Sequence, residues 1–231
     1  MLPDLSRRAL AEAVGTALLV AAVVGSGIAA QRLSPGQVGL QLLCNALATG
    51  AVLVAIILAL GAVSGAHLNP AVSLADWLLG GLSRHELAAY ASAQVGGGAI
   101  GCVLANAMFA QPTQWSATPR SAPALWLGEI VATVGLLLVI FGLARAGRAP
   151  MAPFAVGSYI TAAYWFTSST SFANPAVTLG RTLSDTFAGI APSSAPLFIA
   201  CQLVGTVLAV GLVRALYPRV LPSEHLAEEA S

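Results

Sequence analysis

Two near copies of one segment decide the fold: Asn69-Pro70-Ala71-Val72-Ser73-Leu74-Ala75-Asp76 and Asn174-Pro175-Ala176-Val177-Thr178-Leu179-Gly180-Arg181. In each copy the asparagine is a strong N-cap, because its side-chain oxygen can accept hydrogen bonds from the first helical turn. The proline that follows suits the first helical position, where its missing N–H would have had no partner. About ten residues later each copy is interrupted, so each helix spans roughly 15 Å, half of a bilayer's hydrocarbon core. The sequence therefore predicts two half-length helices.

The composition indicates a polytopic membrane protein. Of the 231 residues, 57% are hydrophobic and 8% are charged, whereas a soluble domain carries about 25% charged residues. A net charge of +1 gives no reason to propose nucleic-acid binding. The three cysteines lie in apolar segments, which argues against a disulfide framework and a metal cluster. We find no phosphate-binding glycine loop, HExxH motif or nucleophile elbow, so we predict neither an enzyme nor a cofactor site.

Six apolar segments are long enough to cross a bilayer. Each half of the chain has three, an odd number, so the second half must enter the membrane inverted, and the N-termini of the two half-helices meet at the midplane. We place the six segments near residues 9–30, 38–61, 86–109, 125–144, 151–167 and 195–217. The prediction is an all-α membrane protein with six transmembrane helices and two re-entrant half-helices. It forms one domain over 1–231, with a first repeat at 1–115, an inverted second repeat at 120–217 and a cytoplasmic tail at 218–231.

The arginines predict the orientation, because cytoplasmic loops carry an excess of positive charge. With the N-terminus inside, seven arginines fall on the cytoplasmic side and three, Arg32, Arg120 and Arg181, fall outside. We therefore expect a multi-pass membrane protein, in contact with lipid, with both termini in the cytoplasm.

The centre of the predicted bundle suits small neutral solutes. Each helix N-terminus carries roughly half a positive charge, so two of them facing each other repel cations. Non-helical backbone is tolerated at membrane depth only where it lines a cavity or is covered by protein. Residues 64–68 and 167–173 are therefore candidates to line a pore with carbonyl oxygens. The predicted central constriction consists of Asn69, Asn174, Pro70, Pro175, Ala71 and Ala176.

Glu12 and Glu129 occupy equivalent positions in the middle of two spans, where a carboxylate is costly and needs partners. One interpretation makes them proton relays of a coupled transporter. The other makes them hydrogen-bond acceptors for the adjacent re-entrant loops, and we favour it because two equivalent loops require a matched pair. Gln94 and Gln202 are expected to support the loops in the same way. His67 either lines the cytoplasmic mouth or has a purely structural role.

These features resemble the aquaporin, or major intrinsic protein, family. Its first signature is similar to Ser64-Gly65-Ala66-His67-Leu68-Asn69-Pro70-Ala71-Val72, and its second matches Asn174-Pro175-Ala176. The resemblance covers the six spans, both half-helices and the Glu and Gln positions of both halves. It implies a homotetramer in which each protomer has its own pore.

The second motif departs from the family at Val177. Most members have an arginine there, which belongs to a narrow filter outward of the centre. Counting from the motifs without gaps puts the other filter positions at Thr49, Ala162 and Ser171. A water filter needs an aromatic side chain and a cation, and a glycerol filter keeps the arginine with an aromatic wedge. With neither, this filter is expected to be wider and less polar.

The pattern is similar to a bacterial subgroup of aquaglyceroporins associated with arsenic resistance, in which valine replaces the filter arginine. The resemblance implies a passive channel for glycerol, other polyols and trivalent arsenicals such as arsenite and methylarsenite, with water also a candidate. Two alternatives stay open. One is an ordinary water or glycerol facilitator, and the other is a proton-coupled transporter that uses Glu12 and Glu129.

Arg181 lies four residues after Val177, one turn further outward on the same helix face. One hypothesis is that it supplies a displaced positive charge in a wider outer vestibule. The other is that it reaches the surface or pairs with Asp185.

Overall fold

The computed structural model describes residues 4–217, and the predicted tail at 218–231 lies outside that range. Over the described residues the chain forms eight α-helices and two short 3-10 turns, at Ala149–Met151 and Arg181–Leu183. The α-helices are α1 (Leu5–Leu33), α2 (Val38–Ser64), α3 (Pro70–Leu79), α4 (Arg84–Met108), α5 (Pro123–Arg145), α6 (Ala152–Phe166), α7 (Pro175–Gly180) and α8 (Ala195–Leu216).

Five of the helices between residues 4 and 217, namely α1, α2, α4, α5 and α8, are long and apolar enough to cross a membrane. The remaining predicted span corresponds to α6, which is shorter. Its 15 residues rise roughly 23 Å, and the 3-10 turn Ala149–Met151 extends it at its start. The predicted all-α fold with six spans and two half-helices is therefore confirmed, with α6 as the shortest span.

The half-helices α3 and α7 begin as their sequences predict. Asn69 caps α3 by accepting a hydrogen bond from the backbone N–H of Ala71 at 2.8 Å. Asn174 caps α7 by accepting from the N–H groups of Ala176 and Val177 at 2.9 and 3.2 Å. The second half-helix is shorter than expected, because only six residues are α-helical before the chain tightens into a 3-10 turn.

The two half-helices return to opposite ends of the bundle. We call the end that holds Asp4 and Tyr217 the termini end. The α3 half-helix returns to it, where Arg214 of α8 donates to the carbonyl of Leu78 at 2.6 Å. The segment after α7 lies at the opposite end, where the N–H of Phe187 donates to the side chain of Gln31 at 3.3 Å. This is the arrangement of an inverted repeat.

Helices α1 and α4 pack closely because α4 presents glycines to α1. A Cβ atom added at Gly97 would overlap the backbone carbonyl of Ala13, and one added at Gly101 would overlap that of Ala17. Small residues allow helix backbones in a membrane to approach one another in this way. The neighbouring Gly96 faces open space and is free of this constraint.

We predict that Gly97→Ala destabilises the protein while Gly96→Ala leaves its stability nearly unchanged. The added methyl group at Gly97 meets backbone that cannot rotate away, and overpacking of this kind costs about 1–3 kcal/mol. Thermal unfolding in detergent, followed by the loss of the monodisperse gel-filtration peak, measures the difference. Equal melting temperatures for the two variants would show that α1 and α4 are not tightly packed at this glycine.

Candidate functional site

A cavity of about 160 Å³ lies between the two re-entrant loops and is walled mainly by apolar side chains. Both N-cap asparagines face it. The predicted prolines and alanines of the central constriction do not line it: Ala71 and Ala176 are completely buried in the first turns of α3 and α7. The predicted site residues that do line the cavity are Thr49, His67, Asn69, Ser171, Asn174, Val177 and Arg181.

The two asparagines tie the halves of the chain together at the cavity. Asn69 donates its side-chain amide to the carbonyl of Ala173 at 2.7 Å. Asn174 donates to the carbonyl of Leu68 at 2.8 Å. Each amide nitrogen carries two hydrogens, so each asparagine keeps a second N–H that a solute oxygen can accept.

The loops that lead into the half-helices have the same unusual backbone. Ala66 and Leu68 adopt positive φ angles of 47° and 52°, and the equivalent Ser171 and Ala173 adopt 51° and 46°. Residues other than glycine are strained in this left-handed region, and such strain persists only where the surroundings hold it. The loops therefore need support from the rest of the bundle.

Glu12 holds the first loop. It is completely buried, and one carboxylate oxygen accepts from the Ser64 hydroxyl at 2.6 Å and the His67 N–H at 3.0 Å. The other accepts from the Leu68 N–H at 2.6 Å and from the Gln94 amide at 2.8 Å. Four hydrogen bonds to one buried carboxylate compensate the cost of its charge.

Glu129 holds the second loop in the same way. Its carboxylate accepts from the N–H groups of Phe172 and Ala173, each at 2.9 Å. Gln202 donates to it at 2.6 Å and also to the hydroxyl of Thr178 at 2.9 Å. Each carboxylate thus accepts two backbone N–H groups of its loop and one glutamine amide.

His67 has both of the roles that the sequence analysis gave as alternatives. Its ring lines the cavity toward the termini end. It is also held structurally, because Nδ1 lies 3.1 Å from the Ser73 hydroxyl and Nε2 lies 3.9 Å from Asp76.

Of the four predicted filter positions, Ala162 is wrong. Its side chain is exposed on the outer face of α6, away from the cavity. Residues four apart share a helix face, and the cavity face of α6 carries Val156, Ile160 and Tyr164. A count along the chain without regard to this period selected the wrong side of the helix.

Tyr164 occupies the wall that Ala162 was expected to form. It is 3% exposed, and its hydroxyl lies 3.1 Å from that of Thr49. The cavity wall beside Thr49 therefore contains an aromatic side chain, whereas the sequence-based expectation had none at these four positions. The four-residue spacing of the apolar residues on α6 is the sequence signal that could have identified Tyr164.

Arg181 also lines the cavity, and the alternative that it reaches the surface or pairs with Asp185 is wrong. Its side chain is 2% exposed. Its guanidinium carbon lies 3.4 Å from the centre of the Phe172 ring, and Nε donates to the carbonyl of Ala188. Asp185 instead accepts from the N–H of Ala117 at 2.9 Å.

The electrostatics of the cavity do not favour cations. Within residues 4–217, no carboxylate lines it, and Arg181 is its one permanently charged side chain. The N-termini of α3 and α7, whose partial charges are positive, point at its centre. The remaining polar groups are asparagine amides, hydroxyls, an imidazole and loop backbone.

A bundle of six spanning helices, with two capped half-helices meeting at a central cavity, defines a membrane channel for small solutes. Residues 2–173 match the family model described as Major intrinsic protein. The chain therefore belongs to the major intrinsic protein family, whose members are channels and not enzymes, and the resemblance predicted from its motifs is confirmed.

Two relatives and one solved structure illustrate the relationship. The chain is 51% identical over 220 residues to Aquaglyceroporin AqpS of Rhizobium meliloti (strain 1021), covering 95% of this chain and 94% of that protein. It is 34% identical over 268 residues to the Glycerol uptake facilitator protein of Pseudomonas aeruginosa, covering 99% and 95%. Its fold is similar to the X-ray structure of the aquaglyceroporin from Plasmodium falciparum, with a TM-score of 0.69, 21% sequence identity and coverage of 90% and 95%.

We predict that Tyr164→Ala raises the flux of bulky solutes several-fold, because it removes one wall of the cavity. Ala162→Phe should leave the flux unchanged, since its side chain lies outside the cavity. Stopped-flow light scattering of proteoliposomes that contain each variant in the membrane measures the flux of glycerol and larger polyols. A strong block by the phenylalanine at 162 would restore that residue to the filter.

Proposed function

We propose that the protein is a passive channel for glycerol, other polyols and trivalent arsenicals such as arsenite and methylarsenite, with water as a further solute. The observation that carries this proposal is the position of Val177. It lines the cavity, is 5% exposed, and has its backbone N–H bound to the cap of α7. A short apolar side chain there leaves space that an arginine would fill.

The cavity wall is complementary to a solute with one polar and one apolar face. Asn69, Asn174 and Thr49 offer hydrogen-bonding groups, while Tyr164 and Phe172 offer aromatic surface. Sites that select small molecules combine a mostly apolar wall with a few fixed polar groups in this way. A polyol or a neutral metalloid hydroxide can present its hydroxyls to the first group and its remaining surface to the second.

The same wall disfavours ions. An ion that enters this cavity would exchange its hydration shell for contact with apolar side chains, and this desolvation is costly without compensating ligands. We propose that Asn69 and Asn174 form the central constriction and that Arg181 adds a displaced positive charge beside the filter of Thr49, Tyr164, Ser171 and Val177. Glu12, Glu129, Gln94 and Gln202 then act as supports for the two loops.

An ordinary water or glycerol facilitator is the second candidate, and one observation favours it. Arg181 lines the cavity one turn from Val177, so a guanidinium group is still available to narrow the pore and orient hydroxyls. The name of the Pseudomonas aeruginosa relative agrees with glycerol as a solute in either case.

We further propose a homotetramer in a bacterial inner membrane, with one pore in each protomer and the termini end in the cytoplasm. Both described chain ends lie at one end of the bundle, together with most of the arginines. Large apolar side chains cover the outside of the helices, among them Leu18, Leu47, Ile100 and Leu208, each at least half exposed. Such surfaces suit lipid and neighbouring protomers.

We predict that Val177→Arg slows arsenite, methylarsenite and glycerol more than water, because the long cation narrows the cavity. Val177→Leu, which adds bulk without charge, is the matched control and should have a smaller effect. Uptake and swelling assays in proteoliposomes compare the four solutes. If the arginine variant carries the bulky solutes as fast as the wild type, the wide-filter proposal fails.

Passive flow and proton-coupled transport differ in their response to a pH gradient. We predict that glycerol flux ignores an imposed gradient and does not saturate at low concentration. Glu129→Gln should lower the yield of folded protein, because an amide cannot accept all the hydrogen bonds that the carboxylate accepts. Gradient-driven accumulation of solute in the wild type, lost in a folded Glu129→Gln variant, would establish the transporter instead.

A further inference from the structure

Two arginines face one aromatic ring at the end of the cavity away from the termini. The guanidinium carbon of Arg181 lies 3.4 Å from the centre of the Phe172 ring, and that of Arg120 lies 5.0 Å from the same centre. The two guanidinium groups are therefore no further apart than the sum of those distances. Arg120 comes from the loop between α4 and α5, and Arg181 follows α7.

Both side chains are fixed in the same way. Nε of Arg181 donates to the carbonyl of Ala188, and Nε of Arg120 donates to the carbonyl of the next residue, Gly189, at 3.0 Å. The backbone N–H of Arg120 donates to the hydroxyl of Ser194 at 3.0 Å. Each guanidinium group is thus anchored through its Nε, and its terminal Nη groups remain available as donors.

Those terminal groups lack protein partners. Over residues 4–217, neither arginine forms a salt bridge, and no hydrogen bond is recorded from an Nη atom of either. The acids of this region are occupied elsewhere, since Glu129 accepts from the second loop and Asp185 accepts from the N–H of Ala117. Burial lowers the pKa of Arg120, which reflects the cost of holding its charge there.

We propose that Arg120 and Arg181 form a binding site for a small tetrahedral oxyanion at this mouth of the channel. Guanidinium groups match the oxygens of such ions through parallel N–H donors. An anion that contacts both groups would offset their mutual repulsion and satisfy the free Nη donors. The occupant would be a free ion, because Arg181 lines the interior cavity, where a lipid headgroup cannot take the place of that ion.

The site has a consequence for flux. Arg181 belongs to the cavity wall beside Val177 and Tyr164, so an anion held on it narrows the path of a neutral solute. The bound anion thus acts as a plug, because the two guanidinium groups hold it at the mouth of the channel. This inference rests on the channel activity, but the identity of the conducted solute does not affect it.

Inorganic phosphate is the probe that tests the site. We expect glycerol flux into proteoliposomes to fall as phosphate is raised on both faces at constant osmolarity and ionic strength, with chloride as the reference anion. Arg120→Gln should raise the half-blocking concentration roughly tenfold, as expected for the loss of one charge-assisted hydrogen bond. Flux is expressed relative to the same variant without phosphate, so differences in basal rate cancel.

Arg32→Gln is the matched control, because Arg32 also stacks on an aromatic ring, that of Phe109, 5.5 Å away, but does not line the cavity. It should retain the wild-type block. Arg181→Lys keeps a charge near the filter and loses the planar fork, so it should also weaken the block. The proposal is overturned if phosphate does not reduce wild-type flux, if Arg120→Gln leaves the block intact, or if Arg32→Gln weakens it equally. A wild type without flux in chloride would instead count against the channel assignment.

Discussion

The channel depends on two buried carboxylates that hold non-helical backbone at membrane depth. A peptide group without a partner in hydrocarbon costs several kcal/mol, and both re-entrant loops are non-helical, with residues in a strained left-handed conformation. Glu12 and Glu129 each accept two backbone N–H groups of a loop. The loops can then turn their asparagines toward each other, which fixes where the cavity forms.

The asparagines complete this arrangement because each has two partners. One side-chain atom caps its own half-helix and another reaches the carbonyl of the opposite loop. The halves of the chain are thereby joined at the cavity by side chains that also line it. The amide groups that support the fold are therefore also part of the cavity wall.

The sequence contained most of the fold, because its signals were local or repeated. The N-cap asparagines, the helix-starting prolines and the six apolar segments each specify an element without reference to its neighbours. The filter was harder to predict, since it depends on which face of α6 turns inward and on where a long side chain lies. Ala162 was placed by counting, and helical periodicity favours Tyr164 instead. The burial of Arg181 depends on contacts with Phe172 and Ala188, and no sequence motif indicates either contact.

The differences between the two half-helices explain how the cavity keeps a cationic side chain although position 177 is a valine. Val72 and Val177 are equivalent, but the residues four positions later are Asp76 in one copy and Arg181 in the other. Asp76 lies 3.9 Å from His67, whereas Arg181 stacks on Phe172. Val177 and Arg181 both line the cavity, and α7 tightens into a 3-10 turn at Arg181. The cavity therefore keeps a positively charged side chain although the residue at position 177 is short and apolar.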